Sequence, residues 1–208
     1  MKKIQVQDLW FPDMDNHFEK YLNKGKYQFQ IYNLVLQETT SRRVALDIGA
    51  HVGIWSSYMI KDFSAIIAFE PMPELKECYI KNIPTATLHE VVLGPKLPLN
   101  VSMSKLSQNT GTSHVINGSS TQTKDLDSFG FTDVDLIKID VEGFEKYVIE
   151  GGEKTITNNR PVIVVEQKGH ELNYNLERFS AIHILQNYGM IVKFKIGGDF
   201  IMIWPQGL

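Results

Sequence analysis

The 208-residue sequence predicts an α/β domain built on a mostly parallel sheet with helices on both faces. Two observations carry that expectation. Short apolar runs alternate with helix-period segments along most of the chain, which favours parallel strands joined by crossover helices. In addition, the stretch VALDIGAHVGIWSSYMIKDFSAIIAFEP (Val44–Pro71) reads as strand, glycine turn, helix, strand and terminal acid.

The elements follow in order. Residues 1–40 read as a helical extension, because Phe18, Tyr21 and Leu22, and then Phe29, Tyr32, Val35 and Leu36, recur at helical spacing. The domain proper spans 41–208. Its first strand runs from Val44 to Asp47, and Ile54 to Lys61 forms the helix after the turn. Ile66 to Glu70 is the second strand. Pro73 to Asn82 suits a helix with proline in its first turn. Thr87 to Leu93 is a third strand, stopped by Gly94-Pro95. Residues 96–124 are rich in serine, threonine and asparagine and alternate briefly. They read as an inserted antiparallel hairpin with a polar tip near Gln108 to Thr112, or else as a polar loop. Regularity returns with a strand at Asp135 to Val141 and a helix from Phe144 to Thr157 that bends at Gly151-Gly152. A strand at Pro161 to Glu166 and a helix from Leu176 to Asn187 follow, the helix capped by Gly189. Ile191–Lys195 and Phe200–Trp204 flank Gly197-Gly198-Asp199 as a terminal β-hairpin. Seven strands in this arrangement make a Rossmann-like sheet of the kind found in class I methyltransferases.

Composition narrows the function. A net charge of −3 without a long basic run argues against gripping a phosphate backbone, so no nucleic-acid partner is expected. No apolar run reaches the ~18 residues of a membrane span. Cys78 is the single cysteine, so no internal disulfide forms and a reducing compartment fits. The expected location is cytoplasmic.

Gly49 lets the chain leave the first strand sharply, and Gly53 lets the next helix pack close to the sheet. A dinucleotide turn would need G-x-G-x-x-G to seat a pyrophosphate. Here the spacing is D-x-G-x-H-x-G, with the bulky His51 inside the turn, which argues against a nicotinamide dinucleotide. S-adenosylmethionine carries no phosphate and needs less clearance. Glu70 at the second strand tip suits its ribose hydroxyls, and Asp47 could take its ammonium, directly or through water.

A second constellation is LIKIDVEGFEKYVIEGG (Leu136–Gly152). Lys138, Asp140, Glu142 and Glu145 crowd the carboxyl end of the fourth strand, where open sheets place their ligands. Asp140 and Glu142 could serve as general base or hold a divalent cation, whereas Glu145 reads as a helix-capping acid. Glu166 closes the fifth strand at the same edge. His170, in a loop beyond it, could be a base, a metal ligand or merely solvated.

The segments LDIGAHVGIWS, AFEPMPEL…KNI, KDLDSFGFTDVDLIKIDVEGFEKYVIEGG, VIVVEQ and NYGM resemble the FkbM-type S-adenosylmethionine-dependent methyltransferases, over about Val44 to Val192. The family's pattern departs at His51 and Met72, where it usually has asparagine, and at Met190, where it usually has tyrosine. The resemblance implies O-methyl transfer to a hydroxyl of a sugar or other small molecule. It implies a cofactor site made of Asp47, Gly49, Ala50, His51, Gly53 and Ile54 in the turn, then Glu70, Pro71 and Met72. Asp140 would face the reactive carbon, and Asn109 and Thr110 would close the site. The catalytic candidates are Asp140, Glu142, Glu166 and His170. No metal is asserted; Asp140, Glu142 and Glu166 would be the donors for Mg²⁺. A cofactor-binding module without catalysis and a methyltransferase acting on a macromolecule are the alternative readings.

Overall fold

The structure, a computed structural model, describes residues 1–4, 8–22 and 27–205. The chain opens with a two-stranded antiparallel ribbon, β1 (Lys2–Ile4) and β2 (Leu9–Phe11), then α1 (His17–Leu22) and α2 (Phe29–Glu38). The helical extension expected over residues 1–40 therefore begins as strand. Trp10 explains why: its N–H donates to Asn82 Oδ1 (2.7 Å), and Asn82 Nδ2 donates back to the Trp10 carbonyl (2.9 Å). This tertiary staple is invisible to local periodicity. The helical spacing read at Tyr21 and Leu22 falls on side chains outside the described residues.

The alternating region builds β3 (Val44–Ile48), α3 (Ile54–Met59), β4 (Ala65–Phe69), α4 (Pro73–Asn82) and β5 (Thr87–His89). The third strand is shorter than expected: beyond His89 the chain leaves the sheet, and only Leu93 pairs again, with Lys124. The insertion holds β6 (Asn100–Met103), β7 (Val115–Asn117) and β8 (Thr121–Gln122), a three-stranded antiparallel sheet in the order β7-β6-β8 rather than a simple hairpin. Within its expected polar tip Thr110 is fully buried, while Gln108 and Thr112 are exposed.

Then come β9 (Val134–Ile139), α5 (Glu145–Gly151), α6 (Glu153–Asn159), β10 (Val162–Glu166), α7 (Ser180–Asn187), β11 (Ile191–Ile196) and β12 (Asp199–Ile203). The bend expected at Gly151-Gly152 is a break between α5 and α6. A Cβ on Gly151 would lie 1.9 Å from the Gly94 carbonyl oxygen, so the chain is pressed against the loop there. The helix expected from Leu176 starts only at Ser180.

The main sheet has seven strands in the order β11-β12-β10-β9-β3-β4-β5. β10, β9, β3, β4 and β5 are parallel, and the terminal hairpin adds β12 and β11 antiparallel. Side chains of β3, β9 and β10 alternate between two cores. Ala45, Leu136 and Val164 face Val35, Trp55 and Tyr58, while Leu46, Ile137 and Ile163 face Ile149, Ile156 and Leu185. All six residues of β9 are buried, as expected of a central strand covered on both faces. Successive strands run outward from β3 through β4 to β5, and the chain then returns to β9 on the other side. The reversal opens a crevice at the carboxyl ends of β3 and β9, which is where ligands bind in such sheets.

Candidate active site

A cleft of about 980 Å³, part of it open to solvent, lies over that crevice. Its floor is the turn after β3. Gly49 has φ +74°, and the Gly49 and Ala50 N–H groups both donate to the Phe69 carbonyl. His51 also adopts a left-handed φ (54°). Gly53 has its close neighbours at the end of α4 rather than on the sheet, since a Cβ there would meet Tyr79 of α4 at 3.1 Å and Ile83, just past it, at 2.8 Å.

Glu70 stands at the tip of β4 and lines the cleft. Its Oε2 accepts the His51 N–H and its Oε1 the Met72 N–H, both at 2.9 Å. A carboxylate offers about four acceptor sites, so roughly half remain open to a ligand's hydroxyls. Burial pushes the Glu70 carboxyl up to about 7 despite those two N–H donors.

Asp47 departs from the expected role. It is fully buried, accepts the Ser56 N–H (3.0 Å) and hydroxyl (2.7 Å) on Oδ2, and is not among the cleft-lining residues. It braces the start of α3. Its Oδ1 faces the Lys138 ammonium at 3.7 Å. Lys138 lines the cleft, donates to the Gly49 carbonyl at 2.7 Å and lies 3.6 Å from Asp140 Oδ2. Burial works against its charge, but Asp140, Asp47, Glu166 and Glu70 outweigh burial and raise its pKa.

Three catalytic candidates come together. Asp140, Glu142 and Glu166 each present an oxygen within 4.8 Å of the others, and all three line the cleft. Such a set can take protons or hold a divalent cation. Two basic side chains already lean on it, with Lys168 Nζ 2.5 Å from Glu166 Oε1 and His170 Nδ1 2.5 Å from Glu142 Oε2. Burial, then the charge of Asp140, raises the carboxyls of Glu142 and Glu166. His170 itself is 45% exposed and does not line the cleft. Glu145 does what a capping acid does: its Oε1 accepts the N–H groups of Val141 and Gly143.

Of the other expected residues, Ala50, His51, Ile54, Pro71 and Thr110 line the cleft, whereas Gly53, Met72 and Asn109 do not. Asn109 instead caps its own 3-10 turn by accepting the Gly111 N–H. Met72 contributes its backbone N–H to Glu70.

A family model for the methyltransferase FkbM domain matches residues 47–191. The chain belongs to the FkbM methyltransferase family. That family is S-adenosylmethionine-dependent, which implies this cofactor. Among solved structures, the chain is similar to the methyltransferase FkbM from Methylobacillus flagellatus KT, at 14% identity and TM-score 0.50. That match covers 96% of this chain and 57% of that one. It is also similar to the ribosomal protein L11 methylase from Lactobacillus delbrueckii subsp. bulgaricus, at 10% identity and TM-score 0.53, covering 86% and 79%. Likeness at such identities establishes the fold, that of class I methyltransferases. No curated protein matches the sequence.

The cleft suits the cofactor of an FkbM methyltransferase. The turn at Gly49 has no room for a side chain, and Glu70 keeps free acceptor sites. Leu75, Val91 and Leu93 give an apolar wall able to accept a purine. Periodicity could not find the rest of the lining. Phe18, Tyr27 and Gln28 come from the segment before the matched region, and Lys168 lies past β10. Trp55 donates to Gln28 Oε1 at 2.6 Å, tying that segment to α3. The four acids clustered near strand ends hinted at the site, but no spacing rule hinted at Tyr27 or Gln28.

Proposed function

We propose that this FkbM family member methylates a hydroxyl group of a sugar or other small molecule. The observation that carries the reading is that Glu70, the Gly49 turn and the Asp140–Glu142–Glu166 set open onto one cleft at the carboxyl edge of the sheet. When bound, S-adenosylmethionine supplies a methyl group made electrophilic by its sulfonium. Glu70 would accept hydrogen bonds from the ribose hydroxyls. Asp140 would orient the acceptor hydroxyl and take its proton, with Glu142 beside it as a second acceptor. Holding acceptor and donor in line lowers the barrier by roughly 7 kcal/mol or more in well-aligned systems. If a divalent cation takes part, Asp140, Glu142 and Glu166 are its oxygen donors. Phe18, Tyr27 and Trp55 give the cleft aromatic walls that suit the apolar faces of a sugar ring and exclude water.

The acid-rich mouth and the net charge of −3 disfavour a nucleic-acid acceptor. Among the described residues no helix is long and apolar enough to cross a membrane, and a cytoplasmic site of action is part of the same reading. Calorimetry with S-adenosylmethionine and S-adenosylhomocysteine tests the cofactor. Release of S-adenosylhomocysteine against a panel of sugars and phenols tests the acceptor. Cofactor binding with turnover only on a protein or RNA extract would replace the small-molecule acceptor by a macromolecular one. Binding without any turnover would favour a non-catalytic module.

A further inference from the structure

An ammonium group has only donors, so the cofactor's amino-acid end needs an acceptor near the glycine turn. Two acceptors there face the Lys138 ammonium, although Asp47 Oδ1, 3.7 Å from it, has no hydrogen-bond partner among the described residues. The Gly49 carbonyl takes the Lys138 ammonium, and Asp47 is buried under the turn against Ser56 and Lys138, away from the cleft. His51 remains. It lines the cleft, and its Nε2 lies 2.7 Å from Thr110 Oγ1. That hydroxyl donates its single proton to Asp15 Oδ2 at 2.6 Å, so toward His51 it can only accept. Nε2 must therefore carry the ring proton, which leaves Nδ1 as a bare lone pair. Nδ1 is buried and has no hydrogen-bond partner among the described residues.

The arrangement is held from several sides. Asp15 is fully buried and also accepts the N–H groups of Phe18 (3.0 Å) and Thr110 (3.2 Å). The Phe18 ring lies 4.9 Å from the imidazole, centroid to centroid. Burial holds the His51 pKa down at about 4, so the ring stays neutral around neutral pH. A buried acceptor without a partner is costly, and buried polar groups that lack one in the protein often have a functional partner.

We infer that His51 Nδ1 accepts a hydrogen bond from the ammonium of the bound cofactor, with the Asp15–Thr110–His51 chain fixing the tautomer this contact needs. Asp15 and Thr110 are positioning residues, and the N-terminal segment thereby completes the cofactor site. The inference rests on the reading that the cleft takes S-adenosylmethionine.

The test uses the full chain with ¹⁵N-labelled histidine. The His51 ring should show a protonated Nε2 and a bare Nδ1. S-adenosylhomocysteine should shift Nδ1 toward the hydrogen-bonded range, whereas 5′-methylthioadenosine, which lacks the amino-acid end, should not. Asp15→Asn should mix the tautomers in the free protein. By calorimetry, His51→Ala should weaken S-adenosylhomocysteine about tenfold but 5′-methylthioadenosine less than about threefold, and His51→Asn, which restores an acceptor, should recover most of the loss. An Nδ1 unmoved by bound S-adenosylhomocysteine, a proton on Nδ1, or equal losses for both ligands would overturn the inference while leaving the cofactor reading intact. Failure of the wild type to bind either ligand would remove both.

Discussion

The carbonyl oxygen of Asp140 occupies the space into which any side chain on Gly49 would project, 1.9 Å from an ideal Cβ. The first and fourth parallel strands thus meet backbone to backbone at the cleft floor, and Asp140 N–H donates to the Ile48 carbonyl beside that contact. The turn that would cradle the cofactor and the carboxylate that would meet the acceptor are joined through main chain, with the Lys138 ammonium bridging the Gly49 carbonyl and Asp140.

Gly49→Ala is therefore expected to do more than remove flexibility. Its φ of +74° disfavours any Cβ, and the obstructing atom is backbone, which cannot swing aside. The expected loss is about 2 kcal/mol or more, a fall in melting temperature of about 4–8 °C. S-adenosylhomocysteine affinity should fall with it. An unchanged melting curve would show that the floor is softer than this packing implies.

Much of this floor was legible in the sequence because it is encoded locally. Gly49, Glu70 and Asp140 each sit at a strand tip, and strand tips follow from alternation and turn residues. The seven strands of the main sheet and the terminal hairpin were legible for the same reason. What escaped depended on contacts between distant segments. Asp47 reads as a ligand group until Ser56 is seen to saturate one of its oxygens. Thr110 reads as a loop tip until Asp15, far away in the chain, is found beneath it. Trp10 forms a strand because Asn82 pairs with its backbone. In each case a side chain from another element satisfies a polar group, and no periodicity encodes that.

Glu70 sets a pH dependence on cofactor affinity. Its carboxyl titrates near 7 in the folded protein, raised by burial, and the ribose hydroxyls bind best to the ionised form. S-adenosylhomocysteine affinity should thus strengthen as pH rises from about 6 to about 8, with protons released on binding near neutrality. Calorimetry in buffers of different ionisation enthalpy reads that release. Glu70→Gln should flatten the pH dependence and weaken binding about tenfold. Proton uptake in place of release would contradict the assignment.

The cofactor-free protein should lose stability toward alkaline pH. Burial raises Glu70 to about 7 and Glu145 to about 8, both from 4.5. Between the ordinary value and the raised one, the folded state holds more protons than the unfolded chain, so stability falls with rising pH. His51 acts in the opposite sense, since burial lowers it from 6.5 to about 4, and its contribution grows with pH up to about 6.5. Below about 6.5 the single imidazole offsets only part of what the two carboxyls do, and above it the carboxyls act unopposed. Urea midpoints at constant ionic strength should decline gently between about pH 5 and about 6.5 and more steeply beyond it. A midpoint that climbs from neutral to alkaline pH would show that these carboxyls are better solvated than their burial indicates.

Asp140 and His170 compete as the group that handles the acceptor's proton, and their placement separates them. Asp140 lines the cleft, shares it with Glu70, and is held 3.6 Å from the buried Lys138 ammonium. His170 stands outside the lining and contacts Glu142. Asp140→Asn preserves shape and removes the base, so turnover should fall about 10²-fold or more while S-adenosylhomocysteine affinity stays within about threefold. His170→Ala should lower turnover less than about threefold, because it removes only a partly exposed contact with a second acid. Rates of S-adenosylhomocysteine release under saturating cofactor distinguish the two. If the histidine variant loses as much as the aspartate variant, the proton leaves through Glu142 and His170. Asp140 would then be a positioning carboxylate.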